Sequence, residues 1–328
     1  VRRREFLSFV GGAAIWPGAA FAQQTDRPRR VSILHDYSET DPEGRAQITA
    51  LREELAKAGW VEGRNLTILF HSGAEESDAL RGPVKEVLAD SPDVIVGAGG
   101  SIVAALQRAT KTTPIVFANV TDPVGGGLVA SLARPGANIT GFTQFEFGSS
   151  AKWLELLKEI APNITLVAVV RDPGARSGGG QLGAIQAVAP SLGVDVKPVD
   201  AGDTDDIQRK LTEFSRNGKA GLIVTSSRLA RLHRQQIIKL TTQNRLPAIY
   251  AFRVFVTDGG LMSYGPDAIT PYRRAAGYID RILKGEKPGD LPVQAPTTYA
   301  LSVNLRAAKS IGLTVPQSLL SRAEEVIE

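Results

Sequence analysis

The chain has 328 residues, with 38 Lys and Arg against 34 Asp and Glu and no cysteine. The missing thiol excludes disulfides, thiol catalysis and a lipid-modified cysteine, and a formal charge of +4 with no basic stripe interleaved with aromatics argues against a nucleic-acid surface. Three histidines, His35, His71 and His233, are too scattered to form a metal-spaced cluster, which leaves them solvent-facing or satisfied structural roles.

Residues 1–22 read as a removable export signal. Arg3-Arg4-Glu5-Phe6-Leu7 is followed by an apolar run broken at Gly11-Gly12 and Pro17, and then by Ala20-Phe21-Ala22. The paired arginines before Phe-Leu point to the twin-arginine route, and Phe6–Ala22 falls short of the ~20 apolar residues of a spanning helix. Cleavage is expected after Ala22, leaving a soluble protein in a bacterial periplasm. Losing Arg2, Arg3, Arg4 and Glu5 lowers the charge from +4 to +2, so the basic bias sits in the leader. Residues 23–30, with Arg27, Arg29 and Arg30, read as a solvated linker. The remainder exceeds what one core usually takes, so two lobes are expected.

Beyond the linker, short apolar runs alternate with amphipathic stretches. Val31–Leu34 is a buried strand, followed by a helix with Ile48, Leu51 and Leu55 on one face that stops at Gly59. Leu66–Phe70 is a second strand, and Leu80, Val84, Val87 and Leu88 line a second helix ending before Ser91-Pro92. Val94–Val96 runs into Gly97-Ala98-Gly99-Gly100-Ser101, a helix buries Ile102, Val103, Leu106 and Ala109, and Pro114–Ala118 is a fourth strand. The rhythm restarts after Gly141. Trp153, Leu157 and Ile160 mark a helix, Leu166–Val170 a strand, Leu182, Ile185 and Ala189 a helix, and Val194–Val199 a strand. Ile207, Leu211 and Phe214 face another helix, Leu222–Val224 opens into Thr225-Ser226-Ser227, and a helix through Leu232 and Leu240 leads to Pro247–Ala251. The pattern predicts an α/β protein of two similar Rossmann-like lobes, each a parallel sheet flanked by helices, with a ligand cleft between them.

Ligands of parallel sheets collect at the carboxyl ends of strands, beside helix N-termini. Tyr37, Ser101, Asn119, Thr121, Asp122, Ser226, Tyr250 and Tyr264 fall at such ends or crossings, and are the candidate ligand-binding residues. Glycine and hydroxyl loops suit a carboxylate, and aromatics suit an apolar ligand body. Simpler roles compete with these. Ser101 is placed to cap the helix beginning at Ile102, Asp122-Pro123 has the form of an N-cap followed by proline at the first helical position, and Tyr250 fits a strand interior equally well. Catalytic sets are scarce: Ser226 and Ser227 lack a Gly-x-Ser-x-Gly elbow, and Gly178-Gly179-Gly180 lacks the lysine-serine pair of a phosphate loop. No catalytic residue, metal ligand or cofactor is expected.

Pro114–Phe117, Val120-Thr121-Asp122-Pro123-Val124, Gly127-Leu128-Val129, Arg134-Pro135-Gly136 and Asn138-Ile139-Thr140-Gly141 carry a resemblance. So do Gly259-Gly260-Leu261-Met262-Ser263-Tyr264-Gly265, Ile282-Leu283-Lys284-Gly285, and the stretch from Asn304-Leu305 through Gly312-Leu313 to Val315-Pro316. Together they resemble the substrate-binding family of ABC transporters typified by tryptophan- and phenylalanine-binding members, across essentially the whole mature chain. The resemblance implies a type I periplasmic binding protein that closes on a small-molecule ligand and delivers it to an ABC permease in the inner membrane. It implies Ser101 and Thr121 as carboxylate contacts, Asp122 as the amine partner, and Tyr37, Tyr250 and Tyr264 as walls. Residues 31–142 with 264–290 would form the first lobe, and 143–263 with 291–328 the second. Closure would bend segments near Gly141-Phe142-Thr143 and Met262-Ser263-Tyr264, and a monomer is the simplest functional unit.

The chain departs from that family at Arg171-Asp172, where Asn-Pro is commoner. A surface ion pair is the simpler reading there, while His233, Arg234 and Arg253 add positive charge and leave an anionic or carboxylate-rich ligand open. Two other functions stay in view. The same closure would serve an exported protein that presents its solute to a membrane sensor, and a hydrolase would have only Ser226 and His233, with no orienting acid.

Overall fold

The computed structural model of the protein describes residues 27–328 except 39, 74–78, 173–175, 201–203 and 217, so the export signal and its cleavage point lie outside the described residues. The first lobe contains β1 (Arg29–His35), α1 (Pro42–Lys57), β2 (Leu66–Ser72), α2 (Arg81–Ala89), β3 (Val94–Ala98), α3 (Gly100–Ala109), β4 (Ile115–Val120) and β5 (Ile139–Thr143). Its five strands are all parallel in the order β2-β1-β3-β4-β5. Register places Ile33 opposite Val96 and Val96 opposite Val116, all fully buried, because helices cover both faces of the sheet. Asp41 starts α1 by accepting from the backbone of Glu43 and Gly44, with Pro42 in the first turn, and Gly59 follows its end in a left-handed conformation.

One expectation needs correction here, and one strand was not anticipated. Arg29 and Arg30 belong to β1, not to a linker, and Arg27 and Arg29 both pair with Asp93 at 2.9 and 3.0 Å, fixing the strand's start. Strand β5 has no strong apolar alternation and contains Gly141, which weakens a strand signal. That glycine is required by a close approach: a Cβ there would lie 2.1 Å from the Phe117 carbonyl oxygen of β4.

The second lobe repeats the plan with α4 (Ala151–Ile160), β6 (Leu166–Arg171), α5 (Arg176–Val188), β7 (Asp195–Asp200), α6 (Thr204–Ser215), β8 (Ala220–Val224), α7 (Arg228–Leu232), α8 (Arg234–Gln243), β9 (Ala248–Tyr250), α9 (Val254–Thr257) and β10 (Met262–Gly265). The chain then returns to the first lobe as α10 (Thr270–Leu283), and ends in the second as β11 (Ala300–Asn304), α11 (Leu305–Ser310), α12 (Gln317–Leu320) and β12 (Glu325–Ile327). The second sheet runs β12-β11-β10-β9-β8-β6-β7, and its β7-β6-β8-β9-β10 portion reproduces the strand order of the first sheet. Only β11 runs against its neighbour β10. The expected single helix through Leu232 and Leu240 is two helices meeting at His233.

Three crossings join the lobes, and they refine the expected boundaries. β10 is hydrogen-bonded into the second sheet, so the return crossing follows Gly265 instead of preceding Tyr264. Leu291 and Val293 pack in first-lobe clusters, and Gln294 donates its N–H to the Gly141 carbonyl while its own carbonyl accepts from Thr143 N. The last crossing therefore follows Gln294, not residue 290. Helix α10 packs Tyr272, Ala275, Ala276, Ile279 and Ile282 against the first sheet, which ties this distant segment to that lobe. No helix among the described residues is long and apolar enough to cross a membrane.

Candidate solute-binding site

The carboxyl ends of the two sheets face each other, and Arg231 spans the gap. Its placement is built locally. After β8, the Thr225 hydroxyl donates to the Val170 carbonyl at 3.0 Å, and the Ser227 hydroxyl caps α7 by accepting from Ala230 N at 3.0 Å. One residue later the Arg231 side chain leaves toward the first lobe. Its Nη2 donates to Asp36 Oδ2 at 2.5 Å and its Nη1 to the Tyr37 hydroxyl at 2.6 Å, both just beyond β1. The guanidinium carbon lies 4.6 Å from the Tyr37 ring centroid and 5.4 Å from that of Phe252, so it sits between one aromatic of each lobe. The Arg231 and Asp36 side chains are only 12% and 8% exposed.

Burial alone would raise the Asp36 carboxyl, but the adjacent Arg231 guanidinium and the His35 hydrogen bond outweigh it and hold the group well below the usual carboxylate range. Burial would likewise lower Arg231, and the surrounding Asp36, Tyr37 and Glu43 reverse this to favour its charged form. The Tyr37 phenol is raised far above its ordinary range, chiefly by burial, and its hydroxyl contacts Glu43 Oε2 at 2.5 Å. A pair buried this way recovers through Coulomb attraction roughly what it loses in hydration, so it specifies an arrangement more than it stabilises one.

A polar relay backs the first-lobe side. His35 is fully buried and stacks with Tyr37, Phe70 and Tyr272, at centroid separations of 5.0, 6.4 and 5.7 Å. Its Nδ1 is 3.0 Å from Asp36 Oδ1, and its Nε2 lies 2.6 Å from the Tyr272 hydroxyl and 2.9 Å from Gln47 Oε1. The Asn119 side chain at the end of β4 adjoins Tyr272, and its amide reaches the Ala268 carbonyl at 3.5 Å. Asn119 and Asp122 hold left-handed backbones, φ 56° and 52°, so the β4 end is shaped by two residue types that tolerate that region. Among the described residues, Asn119 Oδ1 and Arg231 Nε are buried polar atoms without a partner. A native interior rarely leaves such atoms unmatched, and an incoming solute is one way to match them.

The structure brings Tyr37, Asn119 and Thr121 to the first-lobe wall at the ends of β1 and β4, and Ser226 to the second-lobe wall. Ser226 is held by Gln181, whose amide donates to its hydroxyl at 2.7 Å and accepts from its N–H at 3.1 Å, so its described partner is an amide and not a catalytic base. Ser101 is exposed in the first turn of α3 and is not the cap, because that helix begins at Gly100 behind Gly99 at φ 92°. Asp122 does cap, but a turn and not a helix: its carboxylate accepts from Gly125 N at 2.8 Å. Tyr250 belongs to the core, fully buried, stacked 4.5 Å from Phe255 and with its hydroxyl 3.1 Å from that of Thr241. Tyr264 is half-buried at the return crossing, stacked on Tyr299 at 5.6 Å.

The cations singled out from sequence lie elsewhere. Arg171 pairs with Asp200, Arg234 with Asp258, and Arg253 with Glu325. Arg231 was hidden in the basic face of a short helix, and its partner Asp36 is 195 residues away. The one sequence sign pointing to it was the Thr225-Ser226-Ser227 loop immediately before.

Comparison with known proteins bears on the fold and the family. A "Tyrosine-binding protein" of Clostridioides difficile is 24% identical over 284 residues, 86% of this chain and 80% of that protein. A conserved domain protein from Vibrio cholerae is 28% identical with a TM-score of 0.85, covering 92% of this chain and all of that one. An ABC domain from Streptococcus pneumoniae in complex with L-Trp has the same fold, with 24% identity, a TM-score of 0.84, and coverage of 92% of this chain and 100% of that one. The ABC transporter substrate binding protein family matches residues 41–327. With its two type I lobes facing across a cleft, this chain belongs to the ABC transporter substrate-binding protein family, whose members bind solutes and are not enzymes.

Proposed function

We propose that the protein is the periplasmic solute-binding component of an ABC importer, which captures a small carboxylate-bearing, amino-acid-like or aromatic solute by lobe closure and delivers it to an inner-membrane permease. The bridge from Arg231 to Asp36 and Tyr37 carries this reading, because it places cation, carboxylate and aromatic surface together where the lobes meet. Relatives named for tyrosine and crystallised with L-Trp support the solute class. The described lobes match that L-Trp complex at a TM-score of 0.84, against 0.70 for a ligand-free, open substrate-binding protein from Clostridium difficile, in keeping with a closed arrangement here. Asn119 and Thr121 on one wall and Ser226 on the other supply amide and hydroxyl contacts, with Ser101 at the mouth. Export through the 1–22 signal, cleavage after Ala22 and monomeric action fit delivery to a permease.

Native mass spectrometry of the purified protein, followed by denaturation and identification of the released molecule, tests the reading. A small carboxylate-bearing solute at one per chain is expected. Release of a neutral sugar, or a chain that binds none of the common amino acids or aromatic acids, would contradict it.

A further inference from the structure

We propose that Asp36 and Arg231 select the solute: its carboxylate takes the unpaired Nε edge of Arg231 and its positive group takes Asp36, so that a zwitterion replaces the direct bond between the two side chains. The assignment rests on the amino-acid-like reading above and names the residues that enforce it. Three observations carry it. The Arg231 Nε is buried without a partner, whereas both terminal nitrogens are engaged, so one donor edge of the guanidinium remains to be met. The two charged groups come from opposite lobes, so anything bound between them is held only when the lobes close.

Charge supplies the third. The Arg231 guanidinium already faces the Asp36 carboxylate and, beyond Tyr37, that of Glu43. A simple anion would add another negative charge around one buried cation, and an unmatched buried charge is expensive. A zwitterion brings its own compensation and leaves the cleft's net charge unchanged. Asp122, the amine partner implied by family resemblance, accepts from Gly125 N with one oxygen, whereas Asp36 is the carboxylate held directly against Arg231. The exchange is accessible because the internal pair is near break-even against hydration, so two complementary contacts to a solute compete with it. The Tyr37 and Phe252 rings on either side of the guanidinium then pack the body of the solute next to its charged end.

Calorimetric titration of the full mature protein with L-phenylalanine, L-tyrosine, L-tryptophan, 3-phenylpropionate and phenethylamine tests this. The wild type should bind at least one amino acid and neither of the singly charged probes comparably. Arg231→Gln should weaken that amino acid at least about 30-fold, the low end for removing one partner of a buried charge pair, and Asp36→Asn should do likewise. Arg231→Lys retains the charge without the Nε edge and should fall between, which separates anchoring from loss of fold, with circular dichroism reporting the fold of each variant. If Arg231→Gln and Asp36→Asn bind the amino acid as the wild type does, the assignment fails while the amino-acid reading stands. If the wild type prefers 3-phenylpropionate to every amino acid, the zwitterion is wrong. If it binds none of the five, the amino-acid reading fails and this assignment falls with it.

Discussion

The two lobes share one strand order yet present unlike surfaces to the cleft. The first brings a buried polar relay, Tyr272–His35–Asp36, with Asn119 beside it, backed by stacked rings and drawn from β1, β4 and the returning α10. The second brings a single guanidinium on a helix of five residues, together with Phe252 and a serine held by Gln181. A duplicated scaffold thus carries two unlike walls, and the difference lies in loops at the strand ends, not in the sheets. Loops at strand ends are the positions where topology leaves the chain free to vary.

The strongest way to break the contrast is to give both walls the same sign. Asp36→Lys sets a second cation against Arg231, and like charges facing each other cost several kcal/mol, so small-angle scattering should show a larger radius of gyration with no compaction on adding solute. His35→Ala attacks the first-lobe wall alone. It removes a ring stacked on three others and leaves the Tyr272 and Gln47 polar groups unmatched in the interior, a loss of about 2–4 kcal/mol that thermal unfolding should register.

Ser227→Ala attacks the other wall. Loss of the α7 cap should cost about 1 kcal/mol, and hydrogen exchange should rise in residues 228–232 while the first lobe stays protected. The smallest effect belongs to Tyr250→Phe, which deletes the contact with Thr241 for about 1 kcal/mol and leaves solute affinity unchanged, because that ring is core.

Acid sharpens the same contrast. The folded Asp36 carboxyl titrates lower than the unfolded one, so its contribution is complete above the ordinary carboxylate value, about 3.9, and disappears only as pH falls through the lower folded value. The bridge should therefore survive from neutrality to about pH 4 and open only at lower pH, as read by scattering, whereas Asp36→Asn should lack that opening below about pH 4.

Much of the scaffold was legible in sequence because buried parallel strands leave continuous apolar runs. Val31–Leu34, Val94–Val96, Leu166–Val170 and Leu222–Val224 all became central strands. Strands β5, β10, β11 and β12 were not anticipated, since they lie at or beyond the edge of the parallel run and carry glycine or polar residues. The site was legible only in outline. The ends of β1, β4 and β8 were placed correctly, but β9 is buried on both faces, so alternation gave no sign that Tyr250 points into the core. Arg231 carried no local mark of burial, because its contacts are set by how the lobes meet.

The central claim is that these lobes close over a solute. The chain has no cysteine, so Arg45→Cys and Lys239→Cys, both exposed and on opposite lobes, can carry a single pair of spin labels. Double electron–electron resonance on the solute-free protein and after adding back the molecule recovered from it should show a shorter, narrower distance distribution with the solute bound. The same distribution in both samples would contradict the account.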